Sequence, residues 1–226
     1  MTHADDPSPP PSDAPSTLLC FHALRRGYGR LRVLRAVSAT VAGGEQLLVT
    51  GANGSGKSTL LRVLAGLLAP QAGTIECRID GRALDVAARR RAVGYLAPDL
   101  AFYPELSCAE NLDFIGRLRG LAPDAGRTLL VRLGLPPGRR AGALSSGMNQ
   151  RLRWAFALLH RPAVLLLDEP LQNLDAGGRD DVLALLGEHL ERGGLAVVAN
   201  PDALPQLSVD RHLHLEGSGL KPGGTS

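Results

Sequence analysis

The chain has 226 residues, enough for one substantial α/β domain with a small inserted subdomain. With 44% hydrophobic and 21% charged residues it suits an ordinary globular protein, and no apolar run reaches the ~18 residues needed to cross a bilayer. The net charge of +3, arginines scattered in small groups (Arg25–Arg26, Arg89–Arg91, Arg139–Arg140) and 4% aromatics argue against a nucleic-acid binder, which needs a concentrated basic stripe with interleaved aromatics.

The chain opens on MTHADDPSPPPSDAPS, a polar, proline-rich stretch without a signal-peptide pattern. Residues 1–16 are expected to be a disordered tail. Cys20, Cys77 and Cys108 stand far apart without metal spacing, as reduced and mostly buried thiols of a cytosolic protein would. From Leu18 to Ile79, LLCFHAL, ATVAGGEQLLVT and GTIECRI alternate with turns and one helix. Within the second, EQLLVT has the pattern of a short buried strand.

That strand runs into GANGSGKST, 51–59, where Gly51, Gly56, Lys57 and Ser58 meet the spacing G-x-x-x-x-G-K-[ST]. Such a loop turns successive backbone N–H groups inward to cradle phosphate oxygens. Lys57 reaches the β- and γ-phosphates, and the Ser58 hydroxyl can ligate Mg²⁺. The following TLLRVLAGLL has helical periodicity, so the loop opens a helix whose N-terminus favours anions. Lys57 is one of only two lysines, with Lys221, in an arginine-rich chain. That weighs against an incidental glycine turn.

Beyond Gly81 the composition turns helical (RALDVAARRRAV), and VGYLA at 93–97 has a strand pattern. Helical patterns cover SCAENLDFIGRLRG and PDAGRTLLVRLG. LSSGMNQRLRWAFALLHRP, 144–162, begins a long helix with Ser145 and Ser146 as caps. AVLLLDEP, 163–170, is a continuous apolar run ending in two acids, the pattern of a strand buried on both faces of a parallel sheet. DDVLALLGEHLERGG is a helix ending at Gly193–Gly194, and LAVVAN a further buried strand. The alternation implies an α/β fold with a mainly parallel sheet. Ligands of such sheets bind beyond the carboxyl ends of the strands, where Asp168 and Glu169 stand. Asp168 is placed to hold Mg²⁺ and Glu169 to act as general base on a water. The plainer alternative is that DEP only closes a strand and starts a turn.

The order of GANGSGKST, LSSGMNQ (144–150), VLLLDEP (164–170) and NLD (173–175) resembles the ATP-binding cassette of ABC transporters over roughly residues 17–216. The resemblance implies a P-loop NTPase core, an N-terminal antiparallel β subdomain and a helical insert at about 99–155, within one cassette domain at 17–220 and ahead of a flexible tail at 221–226. It implies ATP and Mg²⁺ as cofactors. Gly51, Asn53, Gly54, Ser55, Gly56, Lys57, Ser58 and Thr59 would hold the phosphates, Ser58 and Asp168 the metal, and Tyr28 the adenine. Ser145 and Gly147 would bind the γ-phosphate of ATP held by a second cassette, expected to be an identical chain, and Asp175 would communicate across that dimer. Separate integral membrane subunits would hold the chain on the cytoplasmic face of the plasma membrane, and no nucleic acid is expected.

Two positions depart from the family pattern. Pro98 stands where a glutamine is usual, and Asn200 where a histidine is usual. Asn200 keeps a catalytic hydrogen-bonding role or serves as the turn residue before Pro201. The short insert and the YLAPD and VVAN variants resemble small exporter cassettes, including the haem exporter of cytochrome c maturation. The expected activity is transport-coupled ATP hydrolysis. The alternative is an ATP-gated dimerising switch with negligible turnover.

Overall fold

The computed structural model describes residues 16–29 and 31–216. The expected tails at 1–16 and 221–226 lie outside these, except Ser16. That residue is already tied in, exchanging hydrogen bonds with Asp80.

Two sheets form the molecule. In the first, β1 (Thr17–Tyr28) pairs antiparallel with β2 (Leu31–Ala42) on one side and β4 (Ala72–Ile79) on the other, and the two-residue β5 (Arg82–Ala83) extends β4. In the second, β6 (Val93–Leu96), β7 (Val164–Asp168), β8 (Leu195–Ala199), β3 (Gln46–Thr50) and β9 (Arg211–His214) lie side by side in that order, every pair parallel. ATVAGGEQLLVT is thus split between the sheets by a turn at Gly43–Gly44.

β3, β7 and β8 are buried at every residue, as strands covered on both faces must be. Their side chains alternate between two cores. Leu47, Val49, Val164, Leu166, Leu195 and Val197 face the antiparallel sheet and α1 (Lys57–Leu64). Leu48, Leu165, Leu167, Ala196 and Val198 face the helices. Between β6 and β7 come α3 (Cys108–Leu118), α4 (Arg127–Arg132) and α5 (Ser146–Leu158), while α2 (Val86–Ala92) precedes β6 and α6 (Ala176–Glu191) follows β7. α5 runs past the expected insert boundary at 155 and packs on β6, because buried Trp154, Ala155, Ala157 and Leu158 belong to the shared core. Cys77 and Cys108 are buried free thiols.

Three details correct the sequence expectation. Ser145 alone caps α5, its Oγ accepting from Met148 N at 3.2 Å, whereas Ser146 is the first helical residue. α6 starts at Ala176 rather than at DDV, because Asp175 caps it. RHLH is a strand, β9, that its polar composition concealed.

Candidate active site

The order β7-β8-β3 brings the carboxyl ends of three parallel strands together, and each delivers part of one site. β3 delivers the glycine loop. Gly51 has φ +146°, and a β-carbon there would collide with the Leu215 carbonyl and stand 2.7 Å from Ser55 Oγ, so glycine is required. Lys57 is buried, its ammonium donating to Gly51 O at 2.6 Å and Ala52 O at 3.2 Å. These bonds draw the side chain across the loop and leave one of its three donors for a phosphate. Asn53 and Gly54 form the exposed tip, Ser55 is buried with an unpartnered Oγ, and Ser58 and Thr59 are half-buried. α1 has no acid in its first turn and no side-chain cap, so its positive end is unneutralised.

β7 delivers the acids. Asp168 is buried, and burial pushes its carboxyl above the usual carboxylate range. Neighbouring Glu169 pushes the same way, while a hydrogen bond from the Ser58 hydroxyl and the charges of Lys57 and Arg62 pull it down. Asp168 Oδ2 is buried without a partner. An orphaned carboxylate oxygen beside a hydroxyl is a donor set that fits Mg²⁺, a hard cation held by one or two protein oxygens together with phosphates and water. Burial and Asp168 also push the Tyr95 phenol up to about 12. Arg62, held by Asp99 Oδ2 at 2.8 Å, was missed in the sequence, although it stands one helical turn beyond Ser58 on α1.

Glu169 turns the chain at φ +49°, a strained value for a side chain this size. Its N–H donates to Ala199 O at 2.8 Å. On the other side, α5 holds the turn. Gln150 Nε2 donates to the carbonyls of Glu169 (3.1 Å) and Pro170 (3.0 Å), and Trp154 Nε1 to that of Pro170 (2.9 Å). Both side chains are buried. Sequence periodicity marks them only as inward-facing.

β8 delivers Asn200, whose N–H bonds Val49 O while its side-chain amide donates to Asp202 O at 2.8 Å. That amide is engaged in the turn. Pro98 lies in the loop after β6. Tyr28, at the end of β1, is exposed on the hairpin with the Arg26 guanidinium 5.3 Å from its ring centroid.

Ser145, Gly147 and Asp175 form a second group. A β-carbon on Gly147 would stand 2.7 Å from Asn173 O, so this glycine lets α5 approach the NLD loop closely. Asp175 pairs with Arg151 and accepts from Gly178 N, and these bonds hold its carboxyl below the usual range. Among the described residues, no hydrogen bond joins Ser145 or Gly147 to the glycine loop of the same chain.

The sequence profile of the family described as ABC transporter matches residues 34–172. The chain is 41% identical to the cytochrome c biogenesis ATP-binding export protein CcmA 2 of Cupriavidus metallidurans, over 80% of this chain and 87% of that protein. It is 33% identical to the sn-glycerol-3-phosphate import ATP-binding protein UgpC of Paracoccus denitrificans, over 89% of this chain and 59% of that protein. Its fold is similar to the dimeric cassette MJ0796 in a post-hydrolysis state bound to ADP and Pi, with a TM-score of 0.69 and 26% identity over 81% of this chain and 88% of that one.

Proposed function

The chain belongs to the ABC transporter family as an ATP-binding subunit and ATPase, and we propose that it powers an exporter as a head-to-tail pair of identical chains bound to separate membrane subunits on the cytoplasmic face of the membrane. The observation that carries the catalytic part is the placement of Asp168 and Glu169 beside the P-loop, with Asp168 Oδ2 unpartnered next to Ser58. Residues 51–59 and Lys57 hold the phosphates, and Tyr28 the adenine. Ser58 and Asp168 hold Mg²⁺, which when bound supplies positive charge against the phosphates. Glu169 accepts the proton of the attacking water.

The pairing of chains is supported by Ser145 and Gly147. They begin a capped helix, are hydrogen-bonded only locally, and so suit the nucleotide of a second cassette. Among the described residues no helix is long and apolar enough to cross a membrane, which supports separate membrane subunits. Exposed Tyr103, packed edge-on against Phe114 at 5.4 Å, and exposed Leu118 offer an apolar surface for them. Export is favoured by the higher identity to the CcmA 2 export protein than to the UgpC import protein.

Asp168→Asn tests the metal assignment. Mg²⁺-dependent turnover should be lost, while the melting temperature without nucleotide should rise. The folded-state pKa of Asp168 is raised, so ionising it costs the folded state. That cost is full above the folded pKa and absent below the unfolded value of about 3.9. The gain in melting temperature should therefore be present at pH 7 and vanish in acid. Retained Mg²⁺-dependent turnover would remove Asp168 from the metal site.

Asn200→Ala tests the departing histidine position. Because its amide is engaged in the turn, kcat should change by no more than about twofold. A loss comparable to that of a general base would place Asn200 in the reaction, and the dependence on the membrane partner would then be the next measurement.

A further inference from the structure

The sequence scatters its arginines, but pairing of the first two strands gathers four of them. Arg25 on β1 lies directly across from Arg35 on β2, a like-charge cross-strand pair that destabilises a sheet. Arg32 follows opposite Gly27, and Arg26 stands next to Arg25. With Leu34 and Gln71, these arginines line a cavity of about 610 Å³. No carboxylate among the described residues forms an ion pair with any of the four.

The walls of the cavity are held in place. Gln71 N–H donates to Arg25 O at 2.8 Å. The Arg26 guanidinium is fixed by Ala69 O at 3.1 Å and by its stacking on Tyr28, yet its Nε is buried without a partner. A buried donor on a charged group is costly to leave unpaired. Ala36, also on the wall, has φ +59°, a conformation alanine rarely adopts.

We propose that Arg25, Arg26, Arg32 and Arg35 form a second anion site, separate from the P-loop, for a small ligand carrying three or four phosphoryl charges. Planar guanidinium groups bind phosphate oxygens through paired N–H donors, and four of them match the charge of a short polyphosphate or nucleoside polyphosphate. The cavity volume of about 610 Å³ lies within the range of small-molecule sites. Such a ligand separates the opposed charges of Arg25 and Arg35. The site adjoins the nucleotide machinery at two points: Arg26 stacks on Tyr28, and Leu34 lies against Gly56.

The test is a calorimetric titration with inorganic tripolyphosphate at fixed ionic strength. Four full-length chains are compared: wild type, Lys57→Ala, Arg25→Glu, and the double variant. Wild type should bind at two sites, each single variant at one, and the double variant at none, with an affinity loss of at least about tenfold at the altered site. Arg25→Glu also places an acid opposite Arg35. Without ligand it should melt higher than wild type, while tripolyphosphate should no longer raise its melting temperature through this site. If that variant fails to fold, Arg25→Gln/Arg35→Gln replaces it. The proposal is overturned if the Lys57→Ala chain binds no tripolyphosphate, if the arginine variants bind as wild type does, or if sodium chloride of matched ionic strength reproduces the effect. One shared site in wild type and Lys57→Ala, lost in Arg25→Glu, would sustain this pocket and instead count against the P-loop assignment.

Discussion

Glu169→Gln should lower steady-state ATP turnover by about 10²-fold or more while leaving ATP-driven dimerisation intact. Glutamine keeps the shape and the hydrogen-bonding reach of glutamate but cannot take a proton from water. The backbone that aims the side chain is fixed independently of its charge. The Glu169 amide is held by Ala199 O and its carbonyl by Gln150, and the φ of +49° is imposed by those anchors. The expected product is a chain that binds Mg²⁺-ATP, pairs and does not release its partner. Phosphate release and light scattering on the same samples measure both halves. Turnover equal to wild type would take Glu169 out of the general-base role. Wild-type turnover as low as that of the variant, with ATP-dependent pairing in both, would instead identify the ATP-gated switch.

The second large effect is expected at Trp154, which is fully buried in the helical core and donates to the Pro170 carbonyl. Trp154→Ala removes a large side chain from a packed interior and should cost about 3–5 kcal/mol of stability. Trp154→Phe separates packing from positioning. It keeps most of the buried ring and deletes one of the two side-chain hydrogen bonds, the other being from Gln150, that tie α5 to the residue after Glu169. A strained turn persists only when its surroundings hold it, so loosening one anchor lets the carboxylate depart from its attacking geometry. kcat should fall several-fold with KM for ATP unchanged, because no phosphate contact is touched. In the Glu169→Gln background the same substitution should have no further effect on turnover. A change confined to melting temperature would make Trp154 a core residue and nothing more. Gln150→Leu should behave like Trp154→Phe, since it removes two of the three α5 side-chain bonds that hold the same turn.

Local spacing made the centre of the site legible. A glycine loop between a strand and a helix, followed by Lys57 and Ser58, has the spacing of a phosphate cradle, and acids at the end of an apolar strand stand at the carboxyl end of a parallel sheet, where its ligands bind. Helix starts were less secure. Ser145 and Ser146 are chemically equal as caps, and backbone geometry selected Ser145, which is extended, over Ser146, which is helical. β9 was hidden because RHLH lies at a sheet edge and is largely exposed, so it carries no apolar run. Its His212 and His214 nevertheless hold Thr50 Oγ1 just before the P-loop.

The α/β class, the glycine loop and the acids after VLLL were legible in the sequence because each is built from short local patterns, and the family because four such patterns follow one another in a fixed order. Tertiary structure decided how Glu169 is held, since Gln150 and Trp154 lie 19 and 16 positions from the residues they bond. It also decided that Arg25 opposes Arg35, because strand register is set by turns and bulges that no short stretch of sequence specifies.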